Sequence, residues 1–434
     1  MSYKFLGNLI ILSTCCFHLF AQGPNQVTQN QITYPSNTYL MDNVDNYIYN
    51  QTMMRRWKPY DDFVRISCSV TSLKAQSGKR TIINKPVNGD TLRVDLINVE
   101  NIDTVQTVYS IIKTGEPYKG DKAINVQFLG DSFTSGVYFR DAFIDSGYVP
   151  NVNLIGTRSI SEAPGQAHEG RGGWSVYKYF SNDTSDPYFY NPYWQPKGKY
   201  RYWGSTKFWQ NCYYVKTHKN IKEFDIKYFC SHYDLTFYSQ EGKRLKPKKN
   251  DLMWDSDIKS YIRWNGHKWE KFKGDSLNWS FNYKKYLDMQ ELKKPEFLIF
   301  MFGLNDFRDG NLHPNFDLWD REVKEMIQSY KQAVPNGKFV ICTPPTSCGV
   351  LNNQRMQFTI RQNAIMWEVR KHIIETFDNI ENQGVYIVDA CATIDNEHGF
   401  KEQGGMQYGN PHPYPNYPKL GVPIAAFVQY YRNK

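Results

Sequence analysis

Residues Asn125-Val126-Gln127-Phe128-Leu129 form a short run suited to a buried strand, and they lead directly into Gly130-Asp131-Ser132-Phe133-Thr134. A serine thrown out at the carboxyl end of a strand stands where open α/β sheets bind their ligands. The surrounding chain fits that constraint. Besides residues 123–129, the runs 153–156, 297–302, 337–342 and 385–388 read as buried strands. Amphipathic helices fall between them, over 317–333 and about 353–377, and a last one over about 422–431 carries Pro423 in its first turn, where proline is tolerated. Strands alternating with helices predict an α/β fold with a parallel sheet covered on both faces.

Residues 38–114 follow another rhythm. Runs such as Phe63-Val64-Arg65-Ile66-Ser67-Cys68-Ser69-Val70 and Thr91-Leu92-Arg93-Val94-Asp95-Leu96 alternate and are separated by Gly, Asn, Lys and Pro clusters. That pattern predicts short antiparallel strands, read as a small β-sandwich domain over 22–120 with a linker near 114–121. Residues 1–21 read as a cleavable signal peptide, with Lys4, an apolar stretch over 5–20 and the small Ala21. The apolar stretch is too short and interrupted to predict a membrane span. Leu12-Ser13-Thr14-Cys15 fits a lipoprotein site less well. Export to the periplasm or medium is the expectation.

The second domain, 121–434, is interrupted over about 200–278 by a basic, aromatic stretch. Residues 197–250 hold 13 Lys or Arg against 4 Asp or Glu, so the chain's net charge of +9 belongs to one segment. Tyr200, Tyr202, Trp203, Phe208, Trp209, Tyr213 and Tyr214 there suit either a platform for sugar rings or the core of a small β-rich insertion. The same mixture can bind single-stranded nucleic acid, a partner the export signal argues against. Beyond the leader, Cys68, Cys212, Cys230, Cys342, Cys348 and Cys391 allow pairing as Cys212–Cys230 and Cys342–Cys348, or remain buried thiols. No zinc-type spacing occurs, and no metal or organic cofactor is implied.

Four pieces carry chemistry. They are Gly130-Asp131-Ser132, the glycine-dense Glu169-Gly170-Arg171-Gly172-Gly173-Trp174-Ser175, Gly303-Leu304-Asn305-Asp306 after a strand, and His412-Pro413 before the last helix. In this order they resemble the SGNH, or GDSL, hydrolase superfamily. The run 170–175, with Asn191-Pro192-Tyr193-Trp194 following, is similar to secreted bacterial carbohydrate esterases that remove acetyl groups. The resemblance implies a three-layer α/β/α sandwich of flavodoxin-like type. It further implies Ser132 as nucleophile, an oxyanion hole from the Ser132 and Gly173 N–H groups and the Asn305 amide, and His412 as general base.

Elementary chemistry supports those roles. A serine hydroxyl needs a base to become a nucleophile, a neutral imidazole serves near pH 7, and a tetrahedral oxyanion needs fixed donors. Each block also has a plainer reading. Ser132 would cap a helix, Gly172-Gly173 would form a tight turn, and Asn305-Asp306 would cap a helix or close an Asx turn. His313 is a second His-Pro histidine, expected on a surface loop, while His168, Arg171 and Trp174 are candidates to line the substrate pocket.

The chain departs from the family in one place. Gly409 stands where an aspartate three residues before the histidine is usual. Asp389, Asp395 and Glu402 remain candidates for the acid, as does a Ser–His dyad. The sequence thus predicts an exported serine esterase acting on an acylated polysaccharide. An acyltransferase, a lipase or a non-catalytic glycan-binding protein are the rivals.

Overall fold

The computed structural model describes residues 31–55, 64–72, 79–136, 141–158, 167–184, 190–206, 237–238, 244–274, 276–307, 312–346, 360–395, 399, 402–403, 406–407, 412–413 and 416–434. The leader lies outside them. Among the described residues no helix is long and apolar enough to cross a membrane.

The chain begins with β1 (Asn37–Met41), β2 (Asn46–Tyr49), β3 (Val64–Val70), β4 (Arg80–Ile83), β5 (Thr91–Asn98) and β6 (Thr104–Gly115). They form a four-stranded sheet ordered β1-β6-β5-β3 and a separate β2-β4 ribbon. Alternation sets the inner face: Leu92, Val94 and Leu96 of β5 are fully buried, and they share a core with Ile48 of β2 and Ile83 of β4. The pairing is not wholly antiparallel as expected. The long β6 runs past β5, and its last five residues pair in parallel with β1.

Next come β7 (Ile124–Gly130), α1 (Ser132–Ser135), β8 (Val152–Ile155) and β9 (Glu169–Gly170). After the insertion follow α2 (Tyr283–Gln290), β18 (Phe297–Met301), α3 (Leu304–Phe307), α4 (Asp317–Ala333), β19 (Lys338–Cys342), α5 (Ile360–Phe377), β20 (Val385–Val388), the small ribbon β21 (Glu402–Gln403) and β22 (Met406–Gln407), and α6 (Tyr417–Arg432). The sheet is ordered β20-β19-β18-β7-β8, with β9 also on β7, and every pair is parallel. All five residues of β18 are buried, which explains its continuous apolar run, Phe-Leu-Ile-Phe-Met.

Helix α6 starts five residues earlier than expected, so Pro423 lies inside the helix and Pro418 takes the first turn. Proline at position 423 removes one helical N–H. The helix is held instead by burial on nearly every side, including Leu420, Ile424, Ala426 and Phe427. It packs both on the parallel sheet and on the N-terminal one. The Phe427 ring lies 4.8 Å from that of Tyr39, and a Cβ at Gly115 would fall 2.4 Å from the Ala426 carbonyl oxygen. The two sheets are therefore cemented by the helix that also follows His412.

The insertion is β-rich, as expected. After β10 (Trp194–Pro196) and β11 (Arg201–Ser205) come β12 (Phe237–Tyr238) and β13 (Arg244–Leu245), which pair with each other. They are followed by β14 (Asp251–Asp255), β15 (Ser260–Trp264), β16 (Trp269–Lys271) and β17 (Trp279–Phe281). β10 and β17 pair at its neck, and β11-β14-β15-β16 form a sheet. Tyr202 and Trp203 are buried, which for these two selects the core reading over the sugar platform. The Trp203 indole donates to Asp251 Oδ2 at 2.7 Å, and Arg201 grips both oxygens of the same carboxylate. A buried polar tip so paired belongs to a core. Phe208, Trp209, Tyr213 and Tyr214 lie outside the described residues, as does the pair Cys212–Cys230. Cys342 is a buried free thiol, which overturns its pairing with Cys348; Cys391 is a buried free thiol too, and the buried Cys68 thiol donates to Asn50 Oδ1.

Candidate active site

The strand order makes β7 and β18 neighbours whose onward chains part, and a crevice opens at the carboxyl ends of such strands. Ser132 follows β7 and Asn305 follows β18, with Gly130 in register with Met301. On the other flank β9 places Gly170 opposite Gly130, and the Arg171 N–H donates to the Gly130 carbonyl at 2.9 Å. Close approach demands both glycines. A Cβ at Gly130 would meet the Met301 carbonyl at 2.8 Å, and one at Gly170 would meet the Ser135 nitrogen at 2.2 Å. Three of the four blocks therefore converge because the sheet register puts them side by side.

Ser132 opens α1 but does not cap it. Asp131 is the N-cap, its Oδ1 accepting the Phe133 N–H at 2.9 Å. The plainer reading of Ser132 as a cap is thereby removed. Among the described residues the Ser132 hydroxyl makes no hydrogen bond, and the side chain is half-buried rather than enclosed. Gly172 faces it, since a Cβ built there would lie 4.0 Å from Ser132 Cβ.

Gly172 and Gly173 are exposed and Gly173 has φ +74°, a conformation that favours glycine, so they do form a turn over Ser132. Arg171 and Trp174 stand on the inner side of that loop. The Arg171 guanidinium donates to Glu169 Oε2 at 3.0 Å and to the Tyr190 carbonyl at 3.0 Å, and it lies 4.8 Å over the Trp174 ring. Glu169 in turn accepts from the Tyr286 hydroxyl at 2.8 Å and the Thr157 N–H at 2.6 Å. His168 is 2% exposed, its Nδ1 accepting the Gly170 N–H at 2.9 Å. Burial, with Arg158 and Arg171 nearby, pushes its pKa down to about 3, so it stays neutral. These three residues were expected to line the pocket; their burial makes them supports of the loop from beneath.

The third block locks onto the first two. Asn305 Nδ2 donates to Asp131 Oδ2 at 3.1 Å and to the Trp174 carbonyl at 3.1 Å. Both amide hydrogens are thus engaged, and a carbonyl oxygen entering above Ser132 would replace the Trp174 contact or share it. Asp306 takes the turn-closing role, accepting the Gly303 N–H at 3.2 Å and the Val176 N–H at 2.8 Å. Burial raises its pKa to about 7. Of the two plainer readings, helix capping fits Asp306, whose side chain reaches back to the residue before α3, while Asn305 reaches to Asp131, the residue before the serine.

His412 stands five residues before α6 begins. Its ring packs at 5.0 Å on that of Phe133, the residue after Ser132. Its Nδ1 is hydrogen-bonded to the Tyr417 hydroxyl, and burial lowers its pKa to about 4. Asp389 is not its partner. That carboxylate accepts from Arg370 Nε at 3.0 Å and from Thr343 Oγ1 at 2.6 Å, and Arg370 also reaches the Thr33 carbonyl, so the pair ties α5 to the N-terminal segment. Asp395 lies in a loop whose carbonyl accepts the Gly399 N–H at 2.7 Å, while Gly399 in turn accepts from Asn416 at 2.9 Å. The Glu402 side chain and Gly409 lie outside the described residues. His313 is exposed, as expected. Among the described residues no three His, Cys, Asp or Glu side chains gather to hold a metal ion.

Sequence reasoning gave no role to Asp131 or Tyr417. Asp131 carries a legible signal, an acid immediately before a helix start. Tyr417 carries none, because its tie to His412 depends on where α6 begins.

No family model matches the chain, and no curated protein matches it. Among solved structures it is similar to a Clostridium thermocellum family 3 carbohydrate esterase, at 12% identity over 72% of this chain and 96% of that one, with a TM-score of 0.33. It is similar too to a family 3 carbohydrate esterase from Talaromyces cellulolyticus (13% identity, 72% and 99% covered, TM-score 0.34). A third is a family two carbohydrate esterase from Clostridium thermocellum in complex with cellohexaose (10% identity, 93% and 94% covered, TM-score 0.31). These scores are too low for the likeness to carry chemistry across, so the function is derived from the site's own residues.

Proposed function

We propose that this protein is a serine esterase that removes acetyl or other short acyl groups from a polysaccharide, with Ser132 as nucleophile and His412 as base. The observation that carries this reading is Ser132 itself. It stands at the sheet's switch point, relieved of capping by Asp131, facing an exposed glycine turn and next in sequence to Phe133, whose ring packs against His412. A merely structural serine has no need of such surroundings.

In the first half-reaction Ser132 Oγ attacks the ester carbonyl carbon while its proton passes to His412 Nε2. The carbonyl electron pair moves onto oxygen, which the Ser132 and Gly173 N–H groups and the Asn305 amide would stabilise. Collapse of this intermediate restores the carbonyl and expels the sugar oxygen, which takes the proton from His412. Water then repeats the sequence on the acyl-enzyme, releasing the acid and restoring the Ser132 hydroxyl. The chemistry closes without a cofactor.

The polar, half-open setting suits a sugar ester. The leader reading places the protein outside the cytoplasm, where polysaccharides are met. A fluorophosphonate probe tests the reading at the residue: labelling should map to Ser132 by mass spectrometry and vanish in Ser132→Ala. Labelling elsewhere, or none, would contradict it. An acyltransferase would use the same serine, and a supplied acceptor glycan that gains acyl groups distinguishes it.

A further inference from the structure

A base that serves Ser132 must hold its proton on one nitrogen and offer the other. In serine triads a carboxylate enforces this by accepting from Nδ1. Here the described carboxylate of Asp389 is committed to Arg370 and Thr343. The group found at His412 Nδ1 is the Tyr417 hydroxyl.

We propose that Tyr417 is the positioning residue of the site, its phenol oxygen accepting the Nδ1–H of His412 so that Nε2 is left unprotonated for Ser132. The inference rests on the esterase reading. Three features make Tyr417 suitable. It is 7% exposed, and its ring packs 6.2 Å from Phe133, the same ring that His412 packs against. It begins α6, whose Leu420, Ile424, Ala426 and Phe427 are fully buried and which packs on both sheets, so its Cα is held by that packing. Gly136 leaves room for the phenol, since a Cβ there would lie 3.0 Å from the Tyr417 oxygen.

A phenol is a neutral acceptor, and its bond to a developing imidazolium is weaker than a carboxylate's. It fixes the tautomer and ring orientation but takes no proton itself. Its removal should therefore cost less than the roughly 10⁴-fold loss seen when a triad aspartate is replaced by an amide.

The test is nitrogen-15 NMR of the His412 ring in the full chain, with steady-state kinetics on p-nitrophenyl acetate. Wild type should show the Nδ1–H tautomer at neutral pH. Tyr417→Phe, which keeps the ring packing, should populate both tautomers and lower kcat about 10- to 100-fold with KM unchanged. An Nε2–H tautomer in wild type overturns the proposal without any variant. So does a Tyr417→Phe protein with the wild-type tautomer and kcat while Ser132→Ala is inactive. Turnover that survives Ser132→Ala would instead overturn the esterase reading, and Tyr417's part in catalysis with it.

Discussion

Asn305 and Asp131 are joined across two adjacent strands, the Asn305 amide donating to Asp131 Oδ2 at 3.1 Å. Asp131 meanwhile caps α1 with its other oxygen. One carboxylate thus fixes the backbone at Ser132 and the side chain expected to bind the oxyanion. Asn305→Ala should lower kcat about 10²- to 10³-fold with little change in KM, the size of effect expected for one oxyanion donor. Steady-state kinetics on a soluble acetyl ester would show it. A rise in KM alone would make Asn305 a ground-state contact.

His412 should give an unusual pH profile. Burial lowers its pKa to about 4, so the neutral, basic form persists well below the usual histidine range. The acidic limb of kcat/KM should fall through about pH 4 rather than about 6.5. A limb centred near the ordinary histidine value would show that His412 is more solvated in the working enzyme.

Asp306 has the opposite sign. Burial raises its carboxyl from 3.8 to about 7, so the folded chain holds a proton there that the unfolded chain has lost. The stability this contributes is full below pH 3.8 and is lost as pH rises through about 7. Asp306→Asn, a mimic of the protonated form, should flatten that part of the stability curve in thermal melts taken across the range. Asp306→Ala leaves the Val176 and Gly303 N–H groups without their acceptor and should cost about 1–3 kcal/mol for each.

The glycines should separate by cause. Gly170→Ala drives a Cβ into the Ser135 backbone, a neighbour that cannot swing aside, and should destabilise by about 1–3 kcal/mol or more. Gly173→Ala meets nothing within 4 Å and carries only the strain of φ +74°, of order 1 kcal/mol. Differential scanning calorimetry of the two variants checks the contrast, and equal losses would contradict the close approach at Gly170.

The parallel strands were legible because burial on both faces writes itself as continuous apolar runs, and Phe297–Met301 is such a run. The start of α6 was not, because Tyr417-Pro418 reads locally as a turn while the burial that draws it into the helix comes from two sheets distant in sequence. The same limit hid the roles around the serine. Arg171 and Trp174 have the composition of a sugar-contacting pair, and only the buried Glu169–Tyr286 network shows that they face inward. Asp389 looked available as an acid at a strand end, and its capture by Arg370 of α5 cannot be read from spacing.

The most direct measurement is acyl release by the full chain and by Ser132→Ala, on an acetylated polysaccharide and on p-nitrophenyl acetate. The account predicts turnover by the wild type, loss of at least about 10³-fold in the variant, and an unchanged thermal melt. A Ser132→Ala protein that releases acid at the wild-type rate would contradict it.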